Sequence, residues 1–279
     1  MNKIKKTGKA AIIDDKIVKK RDKNNEEIFN YLESRDFHNY LMFTERTGEE
    51  SIYPYIKDLS IDNYQKSEDL IGLVALLHNK TSYSKEINSE KHKKIRDNII
   101  GYVKHLDEYY YQMLDSIELI EFPSPSDTIF LRNYSKLLEL FEFITNETNT
   151  WYENTSDKTK ERVCLNHGNI RLDHLIKGDK EYLISWDNSS FDSPILDLIN
   201  FYHEEWEKLD FEVLLKKYLD KCSLTEDEKK LLFINLAIPE KIIKYDDELI
   251  NVSVTRRLFD YIYKTEKLIR PYYSKQEKE

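Results

Sequence analysis

A short strand, a polar loop and a hairpin interrupt an otherwise helical stretch of this chain, and this insert constrains the fold most. VCLN (163–166) is predicted to be a strand, NHGNIRLD (166–173) a loop, and HLIKGDKEYLISWD (174–187) a hairpin that turns at residues 177–180. Polar side chains on a loop and an adjoining hairpin can converge on one place. The insert therefore marks the predicted functional site.

The sequence on both sides of the insert has the period of amphipathic helices. Three groups of apolar residues recur at helical spacing, and each is predicted to face a core rather than a cofactor. The groups are Leu70, Val74 and Leu77; Ile95, Ile99, Tyr102, Leu106, Tyr109 and Met113; and Tyr134, Leu137, Phe141 and Ile144. FPSPSD (122–127) is predicted to end one helix and cap the next. More helices are predicted after Pro194, the last ending near Arg270.

The first 58 residues follow a different pattern. GKAAIIDDKIVKKRD (8–22) predicts two short strands around an Asp14-Asp15-Lys16 turn, and EEIFNYLES (26–34) predicts a helix capped by Asn24 or Asn25. NYLMFTE (39–45) and ESIYPYIKD (50–58) predict a second strand pair around Gly48. We expect an α+β chain with a small β-rich lobe over residues 1–58. A large, mainly helical lobe over residues 59–279 would carry the loop 166–175 and the hairpin 174–187.

Charge and composition exclude some classes of function. The net charge of -9 argues against a duplex nucleic-acid binder, which presents a basic field. The basic run KKRDK (19–23) is interpreted as a solvated face. Cys164 and Cys222 lie far apart, which gives neither a disulfide framework nor a metal spacing, and their apolar neighbours predict buried side chains. No apolar run has transmembrane length and no signal-peptide core is present, so a cytoplasmic location is expected.

The insert and the residues after it resemble one known superfamily. HGNIRLDHLI followed by YLISWDNSSFDSPILDL is similar to the catalytic segment of the aminoglycoside phosphotransferase and choline kinase-like proteins. That segment has a His-Gly-Asp start, an Asn five residues after the Asp, an Ile-Asp-Phe/Trp strand end and a later Asp-Pro-x-x-Asp-Leu. The spacing matches throughout, and the resemblance covers nearly the whole chain. It implies a protein-kinase-like two-lobe fold. The stretch 109–140 further resembles the spore-coat-associated kinase-like proteins of Gram-positive bacteria.

The resemblance implies chemical roles for three positions, and this chain departs from the family pattern at each. Asn169 stands where the family has the carboxylate that accepts the substrate hydroxyl proton, and a neutral amide takes no proton at working pH. His174 replaces the Asn, and Ser185 the Asp, that hold Mg²⁺ on the transferring phosphoryl group. Loss of a positioned general base alone costs about 10²–10⁴ in rate. The inherited mechanism is thus largely lost.

The positions that shape the loop are retained. His167 and Gly168 keep its start, and Asp197 stands where the family uses an aspartate to brace it. Asn169 and His167 together mark the predicted catalytic centre, with a largely structural role for the histidine. Residues that form the site persist while those that do chemistry are replaced, which is typical of a pseudokinase.

The small lobe is predicted to hold the nucleotide-binding pair, if one exists. In the family a strand lysine, paired with a helix glutamate, positions the nucleotide phosphates, and Lys19 and Glu26 are the candidates here. The other interpretation is that both are solvated surface charges. Only Gly8 precedes the first clear strands, so no Gly-rich phosphate loop is expected and there is scarcely room for a first strand.

Several side chains near the motif leave alternatives open. His174 would be a metal ligand only together with Asp187 or Asp173. Asp187, two residues beyond Ser185, either takes over metal binding in a rearranged site or is an exposed turn residue. Arg171 either contacts a phosphate or is solvated.

Two classes of function remain. The first is a pseudokinase that acts as a binding or assembly protein, in a spore-associated or other bacterial complex. It would bind ATP weakly or not at all, and its partner would be a protein or a small molecule, not a nucleic acid. The alternative is an active ATP-dependent phosphotransferase on a small hydroxylated molecule, with Mg²⁺ held by a remodelled site. The three departures together favour the first class.

Overall fold

The chain folds into two compact units. The computed structural model describes residues 5–7, 10–13, 16–20, 24–88 and 90–273. The first unit is formed by Met1–Lys85, Arg162–Glu205 and Leu209–Ser223, and the second by Glu86–Glu161, Trp206–Lys208 and Leu224–Glu279. These units interleave along the sequence, whereas the expected lobes 1–58 and 59–279 follow one another. The lobe boundary stays a prediction.

In the described part of the chain the strands lie within residues 5–86 and 160–192, two α-helices lie within the first of these ranges, and the other α-helices lie outside both. The strands are β1 (Lys5–Thr7), β2 (Ala10–Ile13), β3 (Lys16–Lys19), β4 (Glu45–Thr47), β5 (Glu50–Pro54), β6 (Tyr83–Glu86), β7 (Lys160–Asn166), β8 (Leu175–Lys177), β9 (Glu181–Leu183) and β10 (Ser190–Asp192). The α-helices are α1 (Glu26–Ser34), α2 (Asn63–Thr81), α3 (Glu90–Glu118), α4 (Pro125–Thr155), α5 (Ile195–Glu205), α6 (Phe211–Lys221), α7 (Glu226–Ala237) and α8 (Glu248–Tyr273). Two short 3₁₀ helices cover Leu172–His174 and Trp186–Asn188.

An antiparallel sheet of the first unit has the order β1-β2-β3-β5-β4. The predicted pair β2 and β3 is confirmed, although Asp14 and Asp15 at its turn lie outside the described residues. The expectation that there is scarcely room for a first strand is wrong, because β1 pairs with β2. Gly8, between them, also lies outside the described residues.

The strand predicted over residues 39–45 does not form there. The strand that pairs with β5 begins only at Glu45, and Tyr40 forms a single parallel bridge to Leu183. The backbone here bonds to the hairpin instead of to β5. The Leu183 amide donates a hydrogen bond to the Asn39 carbonyl oxygen at 2.9 Å. Leu41 is buried. Tertiary pairing has overridden the local β propensity of this segment.

Local sequence explains the helices that flank the site. Helix α1 buries Phe29 and Leu32. Asn25 occupies its N-cap position, but the Asn24 side chain accepts the hydrogen bond from the Glu26 amide at 3.2 Å. Asp62 caps α2 by accepting from the Gln65 amide. The predicted α2 stripe of Leu70, Val74 and Leu77 is fully buried.

The insert folds as a strand, a loop and a hairpin, as its sequence predicts. Strand β7 lies between β10 and β6 in a three-stranded sheet, and β8 pairs with β9. The Gly178 amide donates to the Lys180 carbonyl oxygen across the hairpin turn. Cys164 on β7 and Cys222 are both buried, which confirms the burial predicted for them.

Four helices, α3, α4, α7 and α8, build the second unit around an apolar core. Ser124 and Asp127 form a capping box at the start of α4 with Pro125 in its first turn, which confirms the predicted break. The predicted α3 stripe is confirmed at Ile99, Leu106 and Met113, which are buried, and fails at Tyr102. Tyr102 is exposed, and Val103 and Tyr110 are buried instead. The predicted stripe and the buried stripe both alternate steps of four and three residues. Tyrosine is found in cores and at surfaces alike, so the tyrosines of α3 do not show which stripe is buried.

Within the described ranges, none of the helices combines the length and the apolar character that a membrane crossing requires.

Candidate functional site

The loop that follows β7, here called the motif loop (166–175), starts with a turn that requires glycine. Gly168 has a φ of +75°, in the left-handed region. A Cβ at this position would lie 2.2 Å from the Asn188 carbonyl oxygen and 2.7 Å from its carbon. Both the backbone conformation and the space exclude a side chain. Gly168 thereby lets the motif loop approach the segment after the hairpin.

Asp197, in the first turn of α5, holds the start of the motif loop through backbone contacts. Its Oδ2 accepts from the His167 amide at 2.7 Å and its Oδ1 from the Gly168 amide at 2.8 Å. The side chain is 1% exposed. Burial alone would raise the pKa of Asp197, but the hydrogen bond from His78 and the neighbouring donors hold that pKa below its ordinary value. The aspartate is therefore an ionised brace.

Two buried side chains extend this brace. His78 on α2 lies with Nε2 3.1 Å from Asp197 Oδ2 and Nδ1 2.8 Å from the Tyr218 hydroxyl on α6. A carboxylate only accepts, so Nε2 carries the proton and donates. The chain Tyr218–His78–Asp197 links three helices to the motif loop. Sequence analysis did not identify His78 or Tyr218, although a histidine in the apolar run LIGLVALLHNKT signals a buried partner.

His167 has a structural environment. The ring is fully buried, its Nε2 donates to the Ile184 carbonyl oxygen at 2.8 Å, and it packs edge-on against Trp186 with ring centroids 4.7 Å apart. Burial lowers the pKa of His167 from its ordinary 6.5 to about 4. The imidazole is neutral at neutral pH and ties the motif loop to the end of the hairpin.

Asn169 and His174 are joined to each other. The Asn169 carbonyl oxygen lies 2.7 Å from His174 Nδ1, and because a carbonyl only accepts, Nδ1 carries the proton. Only Nε2 of His174 is left for any other ligand. The histidine in the metal-ligand position thus also closes the motif loop. Asn169 itself is half-buried, and its side chain is a neutral amide at the position where the resemblance predicts a base.

Ser185 adopts a conformation that serine rarely takes. Its φ is 69° and its ψ is 54°, in the left-handed region, at the start of the 3₁₀ helix Trp186–Asn188. Asp and Asn enter this region several-fold more often than other non-glycine residues. The backbone has a shape that an aspartate would tolerate better than a serine, at the position where the resemblance predicts a carboxylate.

Lys19, at the end of β3, is paired with Asp187. Its Nζ lies 2.8 Å from Oδ2 and 3.0 Å from Oδ1, and the two side chains are 18% and 34% exposed. Glu26, the predicted partner of Lys19, is exposed at the start of α1, and the structure pairs it with no ammonium of the described residues. The nucleotide role of Lys19 and Glu26 stays a prediction.

The residues predicted to bind a metal are not arranged as a set of metal ligands. Among residues 10–13, 16–20, 24–88 and 90–273, no group of three or more His, Cys, Asp or Glu side chains is placed to hold a metal ion. The metal role of Asp187, His174 and Ser185 stays a prediction. Arg171 forms an exposed ion pair with Glu204 at 3.0 Å.

Comparison with known proteins supports the fold. No protein-family model matches the chain, and no curated protein matches it. The structure is similar to an aminoglycoside phosphotransferase from Alicyclobacillus acidocaldarius, with a TM-score of 0.64 and 9% identity over 99% of this chain and 91% of that one. It also matches choline kinase LicA from Streptococcus pneumoniae, with a TM-score of 0.43 and 15% identity over 98% of this chain and 89% of that chain. The chain has a protein-kinase-like α+β two-lobe fold, as its sequence predicts.

Proposed function

We propose that this chain is a catalytically impaired member of the kinase-like fold that acts as a binding or assembly protein. The observation that carries the proposal is the Lys19–Asp187 ion pair, set beside a motif loop whose frame is intact and whose base position holds Asn169. His167, Gly168 and Asp197 maintain the shape of the motif loop. The positions of the base and of the inherited metal ligands hold Asn169, His174 and Ser185, which do not supply those groups.

The ion pair opposes nucleotide binding at the position where the fold would place phosphates. A phosphate that approached Lys19 would have to displace the Asp187 carboxylate or lie against its negative charge. A partly exposed pair of this kind is worth about 1 kcal/mol, which corresponds to about a fivefold loss of affinity. We therefore expect ATP to bind weakly or not at all, and Mg²⁺ to bind only if the site is remodelled.

The nature of the complex follows from the family resemblance. The stretch 109–140 is similar to spore-coat-associated kinase-like proteins, which favours a protein partner in a bacterial, spore-associated assembly. A fold that keeps its buried brace and loses its chemical side chains is suited to such a role, because binding depends on surface shape and not on proton transfer.

Nucleotide binding by the full chain tests the proposal. Thermal unfolding would be followed with ATP, ADP or GTP, each with and without Mg²⁺ or Mn²⁺. A ligand at 100 times its Kd adds about 2.7 kcal/mol of stability, which is readily visible as a higher melting temperature. We expect no metal-dependent shift for the wild-type chain. ATP hydrolysis should not exceed that of Lys19→Met.

Asp187→Asn separates the two classes of function. If Asp187 only occupies Lys19, Asp187→Asn strengthens nucleotide binding about fivefold, and Lys19→Met in the same chain removes the gain. Lys16→Met, an exposed lysine on the same strand, is the matched control and leaves the gain intact. A wild-type metal-dependent shift that Asp187→Asn abolishes would overturn the proposal and establish Asp187 as a metal ligand in an active, remodelled phosphotransferase.

A further inference from the structure

Exposed apolar side chains gather in two segments of the second unit. One segment is the turn between α3 and α4, and the other is the approach to α8 with its first turn. The side chains, with their exposed fractions, are Leu119 (83%), Ile120 (45%), Phe122 (82%), Ile243 (62%), Tyr245 (50%), Leu249 (81%) and Ile250 (44%). Singly exposed apolar residues are ordinary, but a continuous group marks a binding surface.

Two polar contacts hold the segments together. The Glu248 carboxylate accepts from the Ser126 amide at 2.7 Å and from the Ser126 hydroxyl at 3.1 Å. The Lys244 ammonium pairs with Asp127 at 2.5 Å. Each contact joins the start of α4 to residues beside the apolar group. The two segments therefore lie next to each other, and we call their seven exposed apolar side chains the tip patch.

The fold itself does not require the apolar side chains of Phe122 and Leu249. Phe122 precedes the capping box at Ser124, which needs only a serine and an aspartate. Leu249 lies in the first turn of α8, where the Asp247 side chain already accepts from the Leu249 amide. Polar residues at positions 122 and 249 would be compatible with the same local structure and would expose less apolar surface to water.

The border of the tip patch is acidic. Glu118, Glu121 and Asp246 are exposed and form no ion pair with any residue that the structure describes. The nearby lysines are engaged, since Lys244 is paired with Asp127 and the Lys241 ammonium lies 3.8 Å from the centre of the Tyr109 ring. Three carboxylates, of Glu118, Glu121 and Asp246, thus face the single charge of Lys241, and the net charge around the apolar surface is negative.

We propose that the tip patch binds a basic amphipathic segment of a partner protein. Apolar side chains of that segment cover Leu119, Phe122 and Leu249. Its lysine and arginine side chains pair with Glu118, Glu121 and Asp246. A second copy of this chain would bring an identical acidic border and a net charge of -9 against the patch, and an anionic membrane would be repelled in the same way.

Peptide binding to the full chain tests this surface. The probe is a short, labelled amphipathic helix of leucine and lysine, and the matched control peptide has glutamate in place of lysine. Fluorescence anisotropy at low and high salt gives the affinities. We expect the lysine peptide to bind, with an affinity that falls as salt rises, and the glutamate peptide not to bind.

Matched variants locate the binding. Leu119→Ser with Phe122→Ser should weaken binding at least about tenfold, and so should the charge variant Glu118→Gln, Glu121→Gln, Asp246→Asn, which also reduces the salt dependence. Tyr263→Ser, which removes an exposed aromatic residue of α8 outside the patch, is the control and should leave the affinity unchanged within about twofold. All substituted side chains are exposed, so the melting temperature should stay at the wild-type value, and that measurement checks folding.

Four outcomes would overturn the proposal. They are no binding of the lysine peptide, equal binding to the patch variants and the wild type, binding of anionic lipid vesicles that Phe122→Ser abolishes, and a concentration-dependent dimer in sedimentation that Phe122→Ser abolishes. The proposed loss of catalysis is independent of these results, because Lys19→Met should bind the peptide as the wild type does.

Discussion

The motif loop depends on two sets of residues with different surroundings. One set, its frame, holds the loop in shape, and the other occupies the positions to which the resemblance assigns chemistry, here called the chemical positions. Asp197, His167 and His78 are buried, and each is held by hydrogen bonds to backbone or to one another. Asn169 and Ser185 are half-buried. A change in the frame disturbs the folded state, whereas a change at a chemical position is felt mainly by a ligand. Under the function proposed above, this difference lets the chain keep the shape of the motif loop while the residues at the chemical positions change.

The largest effect is expected for Asp197→Asn. The amide would leave one of the two loop amides without its charged acceptor in a buried place, so the free energy of unfolding should fall by about 3–5 kcal/mol. Urea unfolding at neutral pH measures the change. Asp173→Asn, an exposed aspartate of the same loop, should change stability by less than about 0.5 kcal/mol. Equal effects of the two variants would remove the distinction between frame and chemical position.

Gly168→Ala should be the next most damaging. The left-handed backbone and the collision with the Asn188 carbonyl oxygen together cost about 2–4 kcal/mol. Gly48 has a similar φ of +60° with no atom within 4 Å of a Cβ, so Gly48→Ala isolates the backbone cost of about 1–2 kcal/mol. The difference between the two variants, from thermal or urea unfolding, measures how closely the motif loop approaches residue 188. No difference would contradict that close approach.

The buried His167 should make stability depend on pH. In the unfolded chain its pKa is near 6.5, and in the folded chain it is about 4, so the unfolded state binds more protons between these values. The contribution is complete above pH 6.5 and is lost as pH falls towards 4, amounting to roughly 2 kcal/mol between about pH 7 and pH 5. His167→Gln should flatten that part of the pH profile of the unfolding free energy. An unchanged profile would mean that the imidazole titrates normally in the folded protein.

The smallest effect is expected at a chemical position. Ser185→Gly should stabilise the chain by about 0.5 kcal/mol, because glycine enters the left-handed region without the cost that serine bears. Ser190→Gly, on the extended strand β10, should instead cost about 0.5–1 kcal/mol. If both substitutions destabilise equally, Ser185 is held by contacts that make it part of the frame.

Sequence sufficed where the cause of structure is local. The hairpin, the capping box at Ser124 and the α2 stripe depend on neighbouring residues, and each is found. The motif also places Asp197, because the spacing of the resemblance is kept. A kinase-like fold was thus accessible from pattern and resemblance together.

The contacts that sequence did not supply are long-range. Lys19 meets Asp187 across 168 positions, and His78 meets Asp197 across 119 and Tyr218 across 140. Periodicity describes which face of an element is buried, not which residue of a distant element it meets. The same limit explains the strand predicted over residues 39–45, where pairing with Leu183 decided the outcome.

The Tyr218–His78–Asp197 chain also has a consequence for the order of folding. The amides of His167 and Gly168 gain their acceptor only once α5 is in place. Asp197 meets His78 only after α2 and α5 have come together, and His78 meets Tyr218 only after α6 has joined α2. Closing such long segments of chain is slow, because the entropy of closure is lost before the contacts are made. The motif loop should therefore be among the last segments to become ordered as the polypeptide collapses.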